Sequence, residues 1–469
     1  MGERIAARSV RIGPPLRKGA CDGYNYRSTP ATTPMTSLRP IAIRSTLRTI
    51  AAVLAFLLLA AAPLAAQDDA ALVARARAIH DRVMTLDTHV DISPAAFRRD
   101  AANYVTGVER NQVDVPKMES GGLDVAFLIV YTGQARNDSA GFAGAYAAAM
   151  EKFAAIHRLT DSLAPTRVGL ARTAEDARRI YASGRKVIMI GVENGYPIGT
   201  DLTRVKQFAD LGARYLSLAH NGHSQLSDSN TGERDGVWLH NGLSPLGRDA
   251  IKELNKWGIM IDISHPSKLS MMQTLELTQA PIIASHSGVR AICNHSRNLD
   301  DEQLQGIKKN NGVVQLVAFN SYVKCDPAAQ QAEAAEMAAL RAEFGITATG
   351  REAFAAVAAL APDRKAGYDA KVAAIQKKYP PATVKDFVDH IDHVVKLIGL
   401  DHAGISSDFD GGGGVDGWRN ARETFNVTLE LVRRGYSEAE IAKLWSGNLL
   451  RVLTDVQRVA ARLQRAGPA

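Results

Sequence analysis

"LDTHVDI", residues 86–92, decides how the rest of the chain is read. It reads as a short strand after a helical stretch, yet it carries His89 between two acids, Asp87 and Asp91. Residues two apart in a strand share a face, so Asp87, His89 and Asp91 should project together. An imidazole beside a carboxylate can grip a divalent metal. The same pair can equally be hydrogen-bonded to each other at a strand end.

Working outward, residues 69–86 have helical periodicity, and seven more apolar β-type runs follow. They are "LDVAFLIVYT" (123–132), "KVIMIGVENG" (186–195), "ARYLSLAHNG" (213–222), "GIMIDISHPS" (258–267), "PIIASHSG" (281–288), "GVVQLVAFNSY" (312–322) and "HAGISSDFDGG" (402–412). Near-continuous apolar runs imply strands buried on both faces, as in a parallel sheet. Eight strand–helix units predict an α/β fold of the TIM-type (β/α)8 barrel class. A doubly wound open sheet is the rival, but no GxGxxG or Walker A pattern follows the first strand. Residues 326–380 break the rhythm with Ala/Glu-rich helix formers and predict a helical insertion between strands seven and eight.

The 469 residues are 46% hydrophobic, enough for one large barrel. The net charge of +7 is uneven, because residues 1–66 hold nine basic and two acidic residues. The remainder is neutral, so nothing points to nucleic-acid binding by the folded part. Residues 1–66 read as a leader: a basic start, an apolar run from Ile50 to Ala62, and small residues before Gln67. That is the layout of a secretory signal peptide, with 35–66 as its functional part if Met35 is the start. Cleavage near Ala66 would give a periplasmic or secreted domain of residues 67–469. The apolar run is short for a membrane span, so no stable span is expected in the mature chain. An uncleaved anchor is the alternative. Cys293 and Cys325 remain after cleavage and permit one disulfide in an oxidising compartment, or two buried thiols.

Six of the eight strand ends carry a side chain suited to chemistry: His89 and Asp91, Glu193, His220, His265, His286 and Asp408, the last with Asp410 two residues on. In a barrel these ends meet at one mouth, where the active sites of that fold lie. His80, His157, His390 and His393 fall on helices and read as surface or packing residues. Among loop histidines, His223 is the one expected to line a pocket. Imidazoles and carboxylates without cysteine favour zinc or a similar ion. With one bridging carboxylate they would suit two metals about 3.5–4 Å apart, a centre for hydrolysis.

These residues resemble the renal, or membrane, dipeptidase family of zinc peptidases within the amidohydrolase-like superfamily. The likeness runs from about residue 78 to about 455 and is carried by "DTHVD", "GVENG", "RYLSLAHNGHSQLSDS", "GIMIDISHPS", "APIIASHSGVRAICNHSRNLDDEQL", "HAGISSDFDG" and "GNLLRVL", in family order. The insertion departs from the mammalian pattern. The resemblance implies two Zn2+ per chain, with His89 and Asp91 on one, His265 and His286 on the other, and Glu193 bridging both. It implies catalytic roles for His220, at the scissile carbonyl, and Asp408, beside the substrate's amino group as a proton source for the leaving amine. It implies Arg297 on the substrate carboxylate, Tyr322 in the pocket wall, a Cys293–Cys325 disulfide, dipeptide substrates that include a C-terminal D-residue, and a homodimer. The alternatives are another binuclear hydrolase of the amidohydrolase type, such as a lactonase or deacetylase, and a non-catalytic periplasmic binding protein.

Overall fold

The structure is a computed structural model that describes residues 69–348 and 350–466. The leader, its cleavage site and Met35 lie outside the described residues.

All eight expected strands form. In chain order they are β1 (Leu86–Asp91), β2 (Val125–Tyr131), β4 (Lys186–Glu193), β5 (Ala213–Ser217), β6 (Met260–Asp262), β7 (Ile283–Ser287), β8 (Val313–Val317) and β9 (Ala403–Ser406). They pair in parallel in the order β1-β2-β4-β5-β6-β7-β8-β9. The ring is brought to closure where Asp91 N donates to Phe409 O at 2.8 Å and Thr88 Oγ1 donates to Ile405 O at 3.0 Å. One strand was not anticipated: β3 (Val168–Leu170) pairs with β4 outside the ring. Three residues are too few to carry a period-2 signal.

The strands are shorter than their apolar runs. "GIMIDISHPS" keeps only Met260–Asp262 as strand, and three residues on, at His265, the backbone has turned to φ 86°. Both sheet faces are buried. Leu86, Val125, Phe127, Val187, Met189, Met260, Ile283 and Val313 form one apolar cluster with Leu449, Leu450, Leu453 and Val456 of the C-terminal helix, Asn448–Ala466. Many of these are the first residues of their strands, so apolar packing closes the strand-start end and leaves the other end to polar groups. Truncating a member such as the fully buried Phe127 to Ala should cost about 3–5 kcal/mol.

The insertion between β8 and β9, the seventh and eighth strands of the ring, is helical as expected: Pro327–Glu343, Gly350–Ala358 and Pro362–Lys378. Asp326 caps the first helix by accepting Ala329 N at 3.0 Å. Leu340, Ile346, Ala353 and Tyr368 make a small apolar core separate from that of the barrel. Among the described residues no helix is long and apolar enough to cross a membrane.

Candidate metal centre

The strand ends converge as the barrel requires. Glu193, the last residue of β4, places Oε1 2.9 Å from His265 Nε2 and 3.3 Å from His286 Nε2. Its Oε2 lies 3.6 Å from His89 Nε2, which is 3.8 Å from Asp91 Oδ2. His220 Nε2 lies 3.7 Å from Glu193 Oε1, and Asp408 Oδ1 lies 3.9 Å from His89 Nε2. The chain bends sharply to achieve this. Asn194, His265, Asp408 and Asp410 sit at φ 75°, 86°, 59° and 62°, a left-handed region costly for residues other than glycine.

Each of three imidazoles has its outer nitrogen committed. Tyr215 donates its hydroxyl proton to Thr88 O at 3.1 Å, so the same oxygen accepts from His89 Nδ1 at 2.9 Å. Ser285 donates to Asp262 Oδ2 at 2.6 Å and so accepts from His286 Nδ1 at 2.7 Å. His265 Nδ1 donates to Asn221 Oδ1 at 3.1 Å. The neutral His265 and His286 therefore present Nε2 as a bare lone pair, and these two and His89 Nε2 all face the Glu193 carboxylate. His265 Nε2 and His286 Nε2 are only 3.0 Å apart. His89 Nε2 and Asp91 Oδ1 are buried with no hydrogen-bond partner among the described residues. Acceptors massed this way need a cation between them, and the donor set of imidazole and carboxylate suits zinc.

The electrostatics agree. Burial pulls the His89 imidazole down, but the charge of Glu193 and the contacts with Asp91 and Glu193 outweigh it and hold it well above the usual histidine range. Burial drives His265 and His286 well below that range, helped by Arg297, His220 and His89. Burial would raise Glu193, yet the surrounding histidines hold it well below an ordinary carboxylate. The anionic field that raises His89 is one that a divalent ion would also satisfy.

Asp91, Glu193, His265 and His286 face a cavity of about 380 Å³ that Arg297 and Tyr322 also line, with His89 buried behind them. Arg297 is 4% exposed and donates Nη2 to His286 O at 3.2 Å. Its Nε has no hydrogen-bond partner among the described residues, and its Cζ lies 5.4 Å from the Tyr322 ring centre. Asp408 is pushed up to about 8 by burial and by the charges of Asp91 and Glu193. Burial lowers His220. Both reach the metal-ready cluster: His220 groups with Glu193 and His265, and Asp408 with His89 and Asp91. Cys293 and Cys325 are disulfide-bonded, with Cα atoms 5.0 Å apart, and so tie the Arg297 loop to the base of the insertion.

Three expectations need correction. Asp87 does not join His89 and Asp91. The register breaks between Asp87 and Val90, and its Oδ1 accepts Ser407 N at 3.0 Å and His89 N at 3.2 Å, knitting the barrel seam. His223 does not line the cavity; it accepts Ser229 N at 3.0 Å and orders its own loop beside Asp228. Asp410 is absorbed in accepting Gln112 N and Val113 N. Sequence reasoning also missed cavity residues Tyr131, Asn221, Phe319 and Gly411. A Cβ on Gly411 would meet Asp408 Oδ1 at 2.2 Å and Asp91 Oδ2 at 2.4 Å, which only a glycine avoids. The "DGG" run was the available signal.

Comparison with known proteins agrees with this geometry. The family model described as membrane dipeptidase (Peptidase family M19) matches residues 73–467. Dipeptidase aclJ of Aspergillus oryzae is 30% identical over 393 residues, covering 81% of this chain and 80% of that protein. The probable dipeptidase PvdM from Pseudomonas aeruginosa superposes with a TM-score of 0.70 at 33% identity, over 83% of this chain and 99% of that one. A metallopeptidase from Rhodobacter sphaeroides, solved with a phosphinate mimic of L-Ala-D-Ala, shares the fold at TM-score 0.60 and 22% identity, over 80% and 99% of the two chains.

Proposed function

The chain belongs to the membrane dipeptidase family of metallopeptidases, and we propose that it hydrolyses free dipeptides at a two-zinc centre held by His89, Asp91, Glu193, His265 and His286. When bound, such a metal pair supplies an activated water and polarises the scissile carbonyl. The protein's own groups do the rest. Glu193 offers one oxygen to each half of the cluster and so fixes its spacing. His220 stands at the cavity wall and stabilises the developing oxyanion. Asp408 faces the substrate's amino end and hands a proton to the leaving amine. Arg297 takes the substrate's free carboxylate with its planar fork, and Tyr322 closes the wall beside it.

The observation that carries the dipeptide reading is Arg297: a buried guanidinium whose Nε has no partner among the described residues, in the same small cavity as the metal-ready cluster. A carboxylate bound there would set the scissile bond next to the C-terminal residue, and Asp408 at the amino end would set the limit on the other side. A C-terminal D-residue fits this reading, because the fork reads the carboxylate and not the side chain. The test is a kinetic screen of L-L and L-D dipeptides, their amides, esters and lactones on the zinc-loaded protein. Free dipeptides should be cleaved and amides spared; preference for lactones would overturn the assignment. Export with loss of residues 1–66 is part of the same reading, and N-terminal sequencing from the native host decides it. Homodimer assembly, implied by the family, is read by sedimentation.

A further inference from the structure

Asp262 is a fully buried carboxylate that is not part of the cavity wall and has no role in the chemistry above. Its hydrogen bonds lead to His286, on one side of the cluster. Oδ1 accepts Ser264 N at 3.0 Å and Ser285 N at 2.8 Å, which ties the end of β6 to β7. Ser264 Oγ in turn accepts His286 N at 2.9 Å. Oδ2 takes the Ser285 hydroxyl proton, and Ser285 Oγ is then left as an acceptor for His286 Nδ1. Three atoms in series thus decide on which nitrogen His286 carries its proton.

We propose that Asp262 is a positioning residue that acts through Ser285 to hold His286 in its Nδ1–H form, so that one of the two metals depends on it. The proposal rests on the two-metal reading. A carboxylate can only accept, so Ser285 must point its proton at Asp262 and its lone pair at His286. Nε2 is then bare toward Glu193. His265, by contrast, relies on the neutral amide of Asn221, and His89 on the phenol of Tyr215. Asp262 therefore acts most directly on His286, and reaches His89 only at longer range, through charge and through the Tyr215 hydroxyl beside Ser285.

Asp262→Asn separates this role from simple packing, since shape and size are kept. The new amide donates to Ser285 Oγ, Ser285 turns its own proton onto His286 Nδ1, and the ring proton moves to Nε2. A ring protonated at Nε2 donates to Glu193 and cannot ligate. Ser285→Ala removes the relay without reversing it, and Ser285→Thr keeps the hydroxyl. Zinc per chain is measured by elemental analysis after dialysis against chelators of graded strength. Affinity for one zinc should fall about 10–100-fold in Ser285→Ala and at least as far in Asp262→Asn, with the other zinc retained. Ser285→Thr should hold both. Nitrogen-15 NMR of the metal-free protein supplies a readout independent of zinc: His286 should be Nδ1–H in the parent and Nε2–H in Asp262→Asn. Equal loss of both metals, or a His286 tautomer unchanged in Asp262→Asn, overturns the proposal. A parent protein that binds no zinc but shows the tautomer switch would sink the two-metal reading and leave the relay standing.

Discussion

The phenol ring of Tyr215 lies against the backbone of Gly191, so close that a Cβ at position 191 would stand 2.2 Å from Tyr215 Cζ. The two are register partners on β5 and β4. The missing side chain lets the ring lie across the barrel interior and bring its hydroxyl to His89. Gly191→Ala should cost about 1–3 kcal/mol or more through overpacking. Tyr215→Phe keeps the ring and should weaken zinc retention about 10–100-fold. Denaturant midpoints and chelator competition measure the two effects; full zinc affinity in Tyr215→Phe would remove Tyr215 from the support of His89.

Glu193→Gln should damage the centre more than the loss of any one imidazole. An amide cannot present two anionic oxygens, and His89, His265 and His286 all face this one group. Elemental analysis should find fewer than two zinc ions in this variant. Two zinc ions and full activity would remove Glu193 from the bridging position.

Arg297→Ala should depress cleavage of a free dipeptide and leave the amidated analogue almost unaffected. A buried charge-assisted bidentate contact contributes roughly 1.5–3 kcal/mol or more, about tenfold to several-hundredfold in rate. The difference between the two substrates is a double-mutant cycle that isolates the pairing from general damage. Equal losses on both would assign Arg297 to the loop rather than the substrate.

Opening the disulfide should loosen the substrate wall as well as the fold. Cys293 and Cys325 are 32 residues apart in sequence, a closure that contributes roughly 3–4 kcal/mol in the chain-entropy model. Asn298 Nδ2 bridges Cys293 O and Tyr322 O, both at 2.8 Å, so the strain of release falls on the Arg297 and Tyr322 side of the cavity. Cys293→Ser with Cys325→Ser should lower the melting temperature and raise KM more than it lowers kcat. Unchanged KM would confine the bond's role to stability.

His390 should make the fold acid-sensitive. Its Nδ1 accepts Val289 N and its Nε2 faces Val323 O, both at 2.9 Å, an arrangement that requires the neutral ring. Burial lowers its pKa, outweighing the Val323 carbonyl and the nearby Asp389 and Asp386. With the folded value below the unfolded one of about 6.5, the contribution is complete above pH 6.5. It is lost as pH falls below that, because the unfolded chain takes up the proton first. Melting curves from pH 8 to pH 5 should flatten in His390→Gln relative to the parent; parallel curves would exclude His390 as the source.

The amino-acid sequence by itself determined the eight strands, their parallel barrel, the helical insertion and the side chains that stand at the mouth. Apolar runs mark strands buried on both faces, and each side chain at the mouth lies at or within three residues of its strand's end. Those are local facts, and a sequence records local facts directly. The structure alone decided which neighbours each group meets. Asp87 looked like a third member of "DTHVD" until the register break turned it to the barrel seam, and His223 was drawn into its own loop by Ser229 and Asp228. Tyr215 serves His89 across 126 residues, and Asp262 serves His286 through Ser285, 23 residues away. No periodicity encodes such contacts. Whether an imidazole presents a lone pair or a proton is set by what lies behind it, and ring closure with side-chain packing puts that partner there.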